Sequence, residues 1–227
     1  MSRIADLLAK LNVEALSLPL YELALTHPSY HAEEHDCQGD YERLEFMGDA
    51  IISLVVATLI FKHHPQADQG LMSKMRAKLV QTDNLFRLAQ QLELAKYVKI
   101  GPSITKDIVA SSKKIMEDMF EALIGAIYID HGFAIAEEVI TSLFASSIES
   151  IDIASLTDYK TQLQEAIQAE HRESVTYFVD SESGPAHDRH FTVSVSFGGT
   201  VLGRGSGSSK KLAEQKAAED ALKKKAG

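Results

Sequence analysis

Glu42, Glu45 and Asp49 recur at spacings of three and four residues within Tyr41-Glu42-Arg43-Leu44-Glu45-Phe46-Met47-Gly48-Asp49-Ala50. On a helix these spacings put the three carboxylates on one face. The run that follows, residues 51–61, is almost wholly apolar and must be buried. Like charges at such spacings repel, and a carboxylate carried toward a core is costly unless it is partnered or protonated. A second acidic pair, Asp118 and Glu121, stands at i, i+3 in another strongly apolar stretch. Lys114 is spaced to reach Asp118 at i, i+4, but one lysine does not balance both acidic groups. Two acidic faces on two apolar helices point to one shared site for a hard divalent cation such as Mg²⁺, which takes oxygen ligands. A pair of such ions, ~4 Å apart and bridged by carboxylates, stabilises both the attacking and the leaving oxygen of a displacement at phosphorus. The competing reading, two solvated helix faces, conflicts with the apolar runs on either side.

The elements that must position these residues are mostly helical. Ile4, Leu7, Leu8 and Leu11 recur at helical spacing, and residues 20–26 form a second helix stopped by His27-Pro28. Residues 31–39 are polar and read as a loop, with Asp40 as N-cap of the acidic helix, which runs to about His64 and stops at Pro65. Helices follow over 71–80 and 84–92, the second capped by Thr82 or Asp83. Gly101-Pro102-Ser103 breaks the chain. Residues 113–130 form the second acidic helix, ended by His131-Gly132, and 133–147 form one more. Residues 1–150 therefore read as an all-α domain, and 151–157 as a linker.

After residue 158 the rhythm changes. Asp158 caps a helix with Tyr159, Leu163, Ala166 and Ile167 on its inner face. Residues 175–180 are strand-like, 191–197 alternate strictly, and Gly198-Gly199 is a hairpin turn into a third strand from Thr200 to Gly203. Gly203-Arg204-Gly205-Ser206-Gly207-Ser208-Ser209 then reads as a loop leading into a helix over 210–225 that opens with Lys210-Lys211. Glycines permit close backbone approach, and a helix start with two lysines attracts phosphate. The fold class is α+β overall: an all-α domain followed by a small α-β-β-β-α domain over 158–227.

The net charge of −9 is unevenly spread. Residues 1–152 hold 13 basic and 22 acidic residues, whereas 153–227 hold 10 of each and 204–227 hold 7 against 3. Polyanion binding follows local charge, so the acidic total does not exclude nucleic acid. Cys37 is the only cysteine, which rules out an intrachain disulfide and fits a reducing compartment. The first residues lack a signal-peptide pattern, and no stretch reaches the roughly 18 apolar residues of a membrane span. No P-loop or nucleophile elbow is present. His27 reads as a helix-end packing residue and His63 and His64 as a solvated helix end; His31, His35 and Cys37 lack a fourth ligand of suitable spacing for zinc.

The first acidic stretch resembles the signature of the ribonuclease III family, and the second resembles that family's second acidic helix. The C-terminal α-β-β-β-α order, with Gly184-Pro185-Ala186-His187 and Lys210-Lys211, resembles a double-stranded RNA-binding domain. The resemblance covers about residues 5–225. It implies a Mg²⁺-dependent endonuclease on double-stranded RNA, with Mn²⁺ as a substitute, leaving 5′-phosphate and 3′-hydroxyl ends with a short 3′ overhang. Glu45, Asp49, Asp118 and Glu121 would be the metal ligands, Asp49 and Glu121 the catalytic pair, and Glu42 a supporting residue near the RNA. Phe46 has two readings, core packing or a knob entering a socket on a second subunit of a homodimer. Thr161, Gln164, Glu165 and His187 would meet the minor groove, and Lys210 and Lys211 the phosphates. Because Glu214 follows one turn later, the phosphate patch is expected at the helix start. Ribosomal RNA precursors and structured messenger RNA would be the substrates, in the cytoplasm and without a membrane. Tyr41 stands where the family usually has Asn, which would forgo a small polar cap; Met47 replaces Leu, and Gln69 replaces a frequent Glu. Two other classes compete: a non-cleaving RNA-binding regulator, against which the intact carboxylate set argues, and a helical metal-binding scaffold, against which the C-terminal domain argues.

Overall fold

The acidic helix α3 (Glu42–His63) and its partner α7 (Lys113–His131) cross at backbone contact. A Cβ at Gly48 would lie 1.7 Å from the carbonyl oxygen of Glu121, and one at Gly125 would lie 2.1 Å from that of Leu44. Only glycine permits so close an approach from both sides. In this computed structural model the described residues are 3–30, 39, 41–156, 158–171, 174–185 and 189–226. They form two compact units, Met1–Ile153 and Ala154–Gly227.

In the first unit α3 and α7 are surrounded by α1 (Arg3–Ala9), α2 (Leu18–Ala24), α4 (Gln69–Leu79), α5 (Thr82–Gln91), α6 (Lys106–Ser111) and α8 (Phe133–Glu149). The core holds Ile52, Val55, Val56 and Ile60 of α3 against Phe120, Leu123, Ile124 and Ile127 of α7, with Phe144 of α8. At the far end of α7 the Asp130 carboxylate accepts from Tyr21 Oη (2.8 Å) and Leu16 N (2.9 Å), tying the N-terminal segment down. Gly132 ends α7 at φ +80°, its N–H returning to the Tyr128 carbonyl at 2.8 Å.

Several local expectations are corrected. The residue flanking α3 is Tyr41, which makes no side-chain cap; Asp40 lies outside the described residues. Tyr41 is instead buried, its ring edge-on to His27 at 5.9 Å, so it acts as a core aromatic where a lost polar cap was expected. Asp68 caps α4 by accepting from Leu71 N at 2.7 Å, and α5 starts at Thr82 with Gln81 before it, so neither Thr82 nor Asp83 is the cap. Helix α6, capped by Thr105, was not foreseen; six residues are too few to display a period. The expected linker contains a one-turn helix, α9 (Ile153–Leu156). Helix α3, at 22 residues and mean hydropathy 2.0 over its best window, is long and apolar enough to span a membrane, because that window runs beyond residues 51–61. Of that window, 44% is buried within the protein. His31, His35 and Cys37 lie outside the described residues.

The second unit is α10 (Tyr159–His171), an antiparallel sheet of β1 (Thr176–Ser183), β2 (His190–Phe197) and β3 (Thr200–Gly207) in that order, and α11 (Lys210–Ala226). Asp158 caps α10 as expected, accepting from Thr161 N at 3.2 Å. Gly198 and Gly199 carry φ of +55° and +81°, the signs a two-residue hairpin turn needs. Phe191, Val193 and Val195 of β2 pack on Leu163, Ile167 and the alanines Ala213, Ala217, Ala218 and Ala221 of α11.

Residues 203–207 are not a loop. They continue β3, with Val193 opposite Gly205 and Phe191 opposite Gly207. Period two turns the three glycines toward α11. Cβ atoms there would meet Ala217 O at 2.4 Å from residue 203, Ala217 N at 2.3 Å from residue 205 and Leu212 Cγ at 2.9 Å from residue 207. The glycines seat the helix on the sheet.

Candidate metal centre and nucleic-acid interface

The Gly48–Gly125 crossing brings the two acidic faces together. Glu45 lies three residues before Gly48, and Glu121 supplies the carbonyl against which Gly48 packs. Carboxylate oxygens of Glu45, Asp118 and Glu121 come within 4.8 Å of one another. They line a cleft of ≈ 640 Å³ that Glu42, Asp49 and Phe46 border from α3 and Lys114 and Glu117 from α7. Asp118 and Glu121 are 7% and 8% exposed, while Asp49 and Glu42 are exposed. Asp49 therefore shares the cleft without entering the closest set.

Lys114 spans the two helices. Its Nζ lies 2.5 Å from Asp118 Oδ1, the i, i+4 pair read from spacing, and 3.5 Å from Glu45 Oε1, a partner that spacing could not reveal. Apart from that ammonium, the buried Asp118 Oδ1 meets no hydrogen-bond donor among the described residues. One positive charge among six carboxylates leaves the cleft strongly acidic. Burial, reinforced by Asp49, Glu117 and Glu45, pushes the Glu121 carboxyl up to about 8. Burial raises Glu45 and Glu117 as well, Glu45 further through Asp118. A divalent cation answers this arrangement: three oxygen donors converge, the buried Asp118 Oδ1 has the Lys114 ammonium as its one partner among the described residues, and burial holds Glu45 and Glu121 against ionising without more positive charge.

Glu117 was passed over in the sequence. Its position four residues before Glu121 is the signal that could have found it. Phe46 is 75% exposed, so core packing is not its role. Gln69 lies outside the cleft, its amide donating to Ser73 Oγ at 3.2 Å. His27 behaves as a packing residue, with Ser29 Oγ 2.9 Å from its Nδ1.

On the second unit, Thr161, Gln164 and Glu165 share one face of α10 by their spacing. Thr161 and Glu165 are exposed. Gln164 is half-buried and partly engaged, its Oε1 accepting from Val175 N at 3.2 Å. His187 lies outside the described residues. Helix α11 explains where its positive charge is available. Lys223 pairs with Glu219 (2.6 Å), Lys224 with Asp220 (2.6 Å) and Lys225 with Glu170 (2.7 Å). Glu214, the acidic residue after the first turn, pairs with Lys160 at 2.6 Å. Exposed Lys210, Lys211 and Lys216 form no ion pair among the described residues, so uncompensated charge collects toward the start of α11.

Residues 18–148 match a family model described as Ribonuclease-III-like, and residues 159–225 match the double-stranded RNA binding motif. The chain is 41% identical over 224 residues to Ribonuclease 3 of Aster yellows witches'-broom phytoplasma, spanning 99% of this chain and 92% of the relative. It is 38% identical over 207 residues to Ribonuclease 3 of Streptococcus gordonii, spanning 90% and 89%. Among solved structures, the nuclease domain of ribonuclease III from Campylobacter jejuni superposes with TM-score 0.60 at 31% identity, covering 67% of this chain and all of that one. Another structure of that domain, described as flexible in the region involved in dimer formation, superposes with TM-score 0.59 at 30% identity, covering 63% and 97%.

Proposed function

Because the chain belongs to the ribonuclease III family of endonucleases and carries a double-stranded RNA-binding domain, we propose that it hydrolyses double-stranded RNA in a Mg²⁺-dependent reaction, leaving 5′-phosphate and 3′-hydroxyl ends. The observation that carries this reading is the convergence of Glu45, Asp118 and Glu121 within 4.8 Å at a buried helix crossing. These three residues, with Asp49 beside them, would hold the divalent cation, Mg²⁺ or in substitution Mn²⁺. When bound, the cation supplies Lewis acidity to an attacking water and neutralises the departing 3′ oxygen. The protein's part is positional. Gly48 and Gly125 set the distance between the two helices that carry the ligands, and the buried backbone around Asp118 and Glu121 keeps them from drifting. Glu42 borders the cleft where the RNA strand would pass.

The second unit would hold the duplex. Thr161, Gln164, Glu165 and His187 would face the minor groove, and Lys210 and Lys211 the phosphates, which the ion pairing of the other α11 lysines supports. One centre cuts one strand, so a homodimer whose twofold axis matches that of the duplex would cut both. Exposed Phe46 fits a contact with the second copy. The proposed substrates are ribosomal RNA precursors and structured messenger RNA in the cytoplasm.

The test is cleavage of a long, perfectly paired RNA in Mg²⁺ beside Glu121→Gln, with end-group analysis. The expected outcome is 5′-phosphate products from the natural protein, and RNA binding without cutting from the variant. Binding without cutting by both would make the protein a regulator and overturn the reading.

A further inference from the structure

Lys114 has no part in the function proposed above, yet it occupies the middle of the site. Its Nζ lies 2.5 Å from Asp118 Oδ1 and 3.5 Å from Glu45 Oε1, two of the three converging carboxylates. These two residues come from different helices, so the ammonium closes the gap between α3 and α7. Its neighbour Lys113 points elsewhere, to Asp83 Oδ1 at 2.6 Å. The Lys114 side chain is 68% exposed although its head sits among the acids.

We propose that Lys114 is a built-in competitor for the divalent cation, pairing Glu45 and Asp118 while the metal is absent and giving way as it binds. The inference rests on the reading of this cleft as the metal centre. Mg²⁺ requires oxygens at about 2.0–2.1 Å in near-octahedral array. An ammonium in contact with two of the same carboxylates uses their lone pairs and adds repulsion toward the incoming charge. The ammonium and the metal therefore compete for the same two carboxylates. The largely exposed side chain gives Lys114 somewhere to go, and the short carboxylate distances keep the site assembled before metal arrives. Lys114 is thereby a positioning residue that raises the concentration of metal the enzyme needs.

The experiment is calorimetric titration of the full chain, free of RNA, with MgCl₂ and separately MnCl₂ at fixed pH, together with thermal unfolding in chelator and in metal. Lys114→Ala and the length-conserving Lys114→Met are compared with Lys113→Ala. Removing the ammonium is expected to tighten metal binding on the order of tenfold, from the loss of one nearby positive charge. The metal-free variants should unfold at lower temperature, and their metal-induced rise in Tm should exceed that of the natural protein. Lys113→Ala should bind metal as the natural protein does. Equal or weaker metal binding by both Lys114 variants would overturn the inference and leave the metal centre standing. So would equal tightening by Lys113→Ala, which would reduce the effect to net charge. No metal binding by the natural protein would overturn the inference together with the metal-centre reading.

Discussion

Gly48→Ala is expected to destabilise the nuclease unit, although alanine is the better helix former. Gly48 lies inside α3, where exchange for alanine ordinarily gains about 1 kcal/mol. Here the added Cβ would stand 1.7 Å from the Glu121 carbonyl oxygen and 2.5 Å from its carbon, against the 3.4 Å at which ordinary contact begins. The obstacle is helix backbone, so no rotamer change relieves it, and α3 and α7 must part by roughly 1.5 Å. Overpacking of a well-filled core costs about 1–3 kcal/mol, and a backbone-to-backbone clash belongs at or above the upper end. The net is a loss of about 2 kcal/mol, or a fall in Tm of roughly 4–8 °C for a unit of this size. The same separation draws Glu45 away from Asp118 and Glu121. A misplacement of about 1 Å at a catalytic centre costs on the order of 10² in rate, so cleavage should fall much further than stability. Scanning calorimetry in chelator and a cleavage assay at saturating Mg²⁺ read the two effects separately. A variant as stable as the natural protein, or more so, would refute the reasoning, because helix propensity would then have prevailed over the crossing.

Other expectations concern charge and assembly. Glu121 in the metal-free fold titrates near pH 8 against an ordinary value of 4.5, so the folded form holds a proton that the unfolded chain releases. Its contribution to stability therefore declines as pH rises from 4.5 to about 8 and is fully lost above that; Glu121→Gln should unfold at higher temperature than the natural protein at pH 8 in chelator, the advantage narrowing toward pH 4.5. An advantage that grew toward acid would contradict the sign. Lys210→Ala with Lys211→Ala should flatten the salt dependence of duplex RNA binding by up to about 2 in log–log slope, whereas Lys223→Ala with Lys224→Ala, already paired to Glu219 and Asp220, should change it less; equal changes would show that ion pairing does not set the patch. Phe46→Ala should leave the unfolding free energy of the isolated subunit within about 0.5 kcal/mol of unchanged, as for exposed positions generally, while sedimentation shifts toward monomer; an unaltered dimer would remove Phe46 from the interface.

What the sequence by itself determined is local. The i, i+3 and i, i+4 spacings of Glu42, Glu45, Asp49, Asp118 and Glu121 dictate shared helix faces, because covalent geometry sets distances over one turn. Gly198-Gly199 dictates a hairpin for the same reason, and strict alternation over 191–197 a strand. The Lys114–Asp118 pair was legible, and so was a helical first unit followed by α-β-β-β-α. Only the tertiary structure decided how close the two acidic helices approach, and hence that Glu45 joins Asp118 and Glu121 while Asp49 stands beside them. It also decided that Lys114 reaches Glu45 across the crossing. Glycine marks the limit most plainly. A glycine signals either a left-handed backbone or a close approach, and nothing local separates the two. Gly203, Gly205 and Gly207 therefore read as a phosphate loop, although the alanine face of α11, met only through folding, makes them the seat of a helix. Gly48 and Gly125 carried no reading of their own, and they set how closely the two acidic helices approach. Distances between residues far apart in the chain are fixed by which backbones can touch, and that is a property of two surfaces packed together.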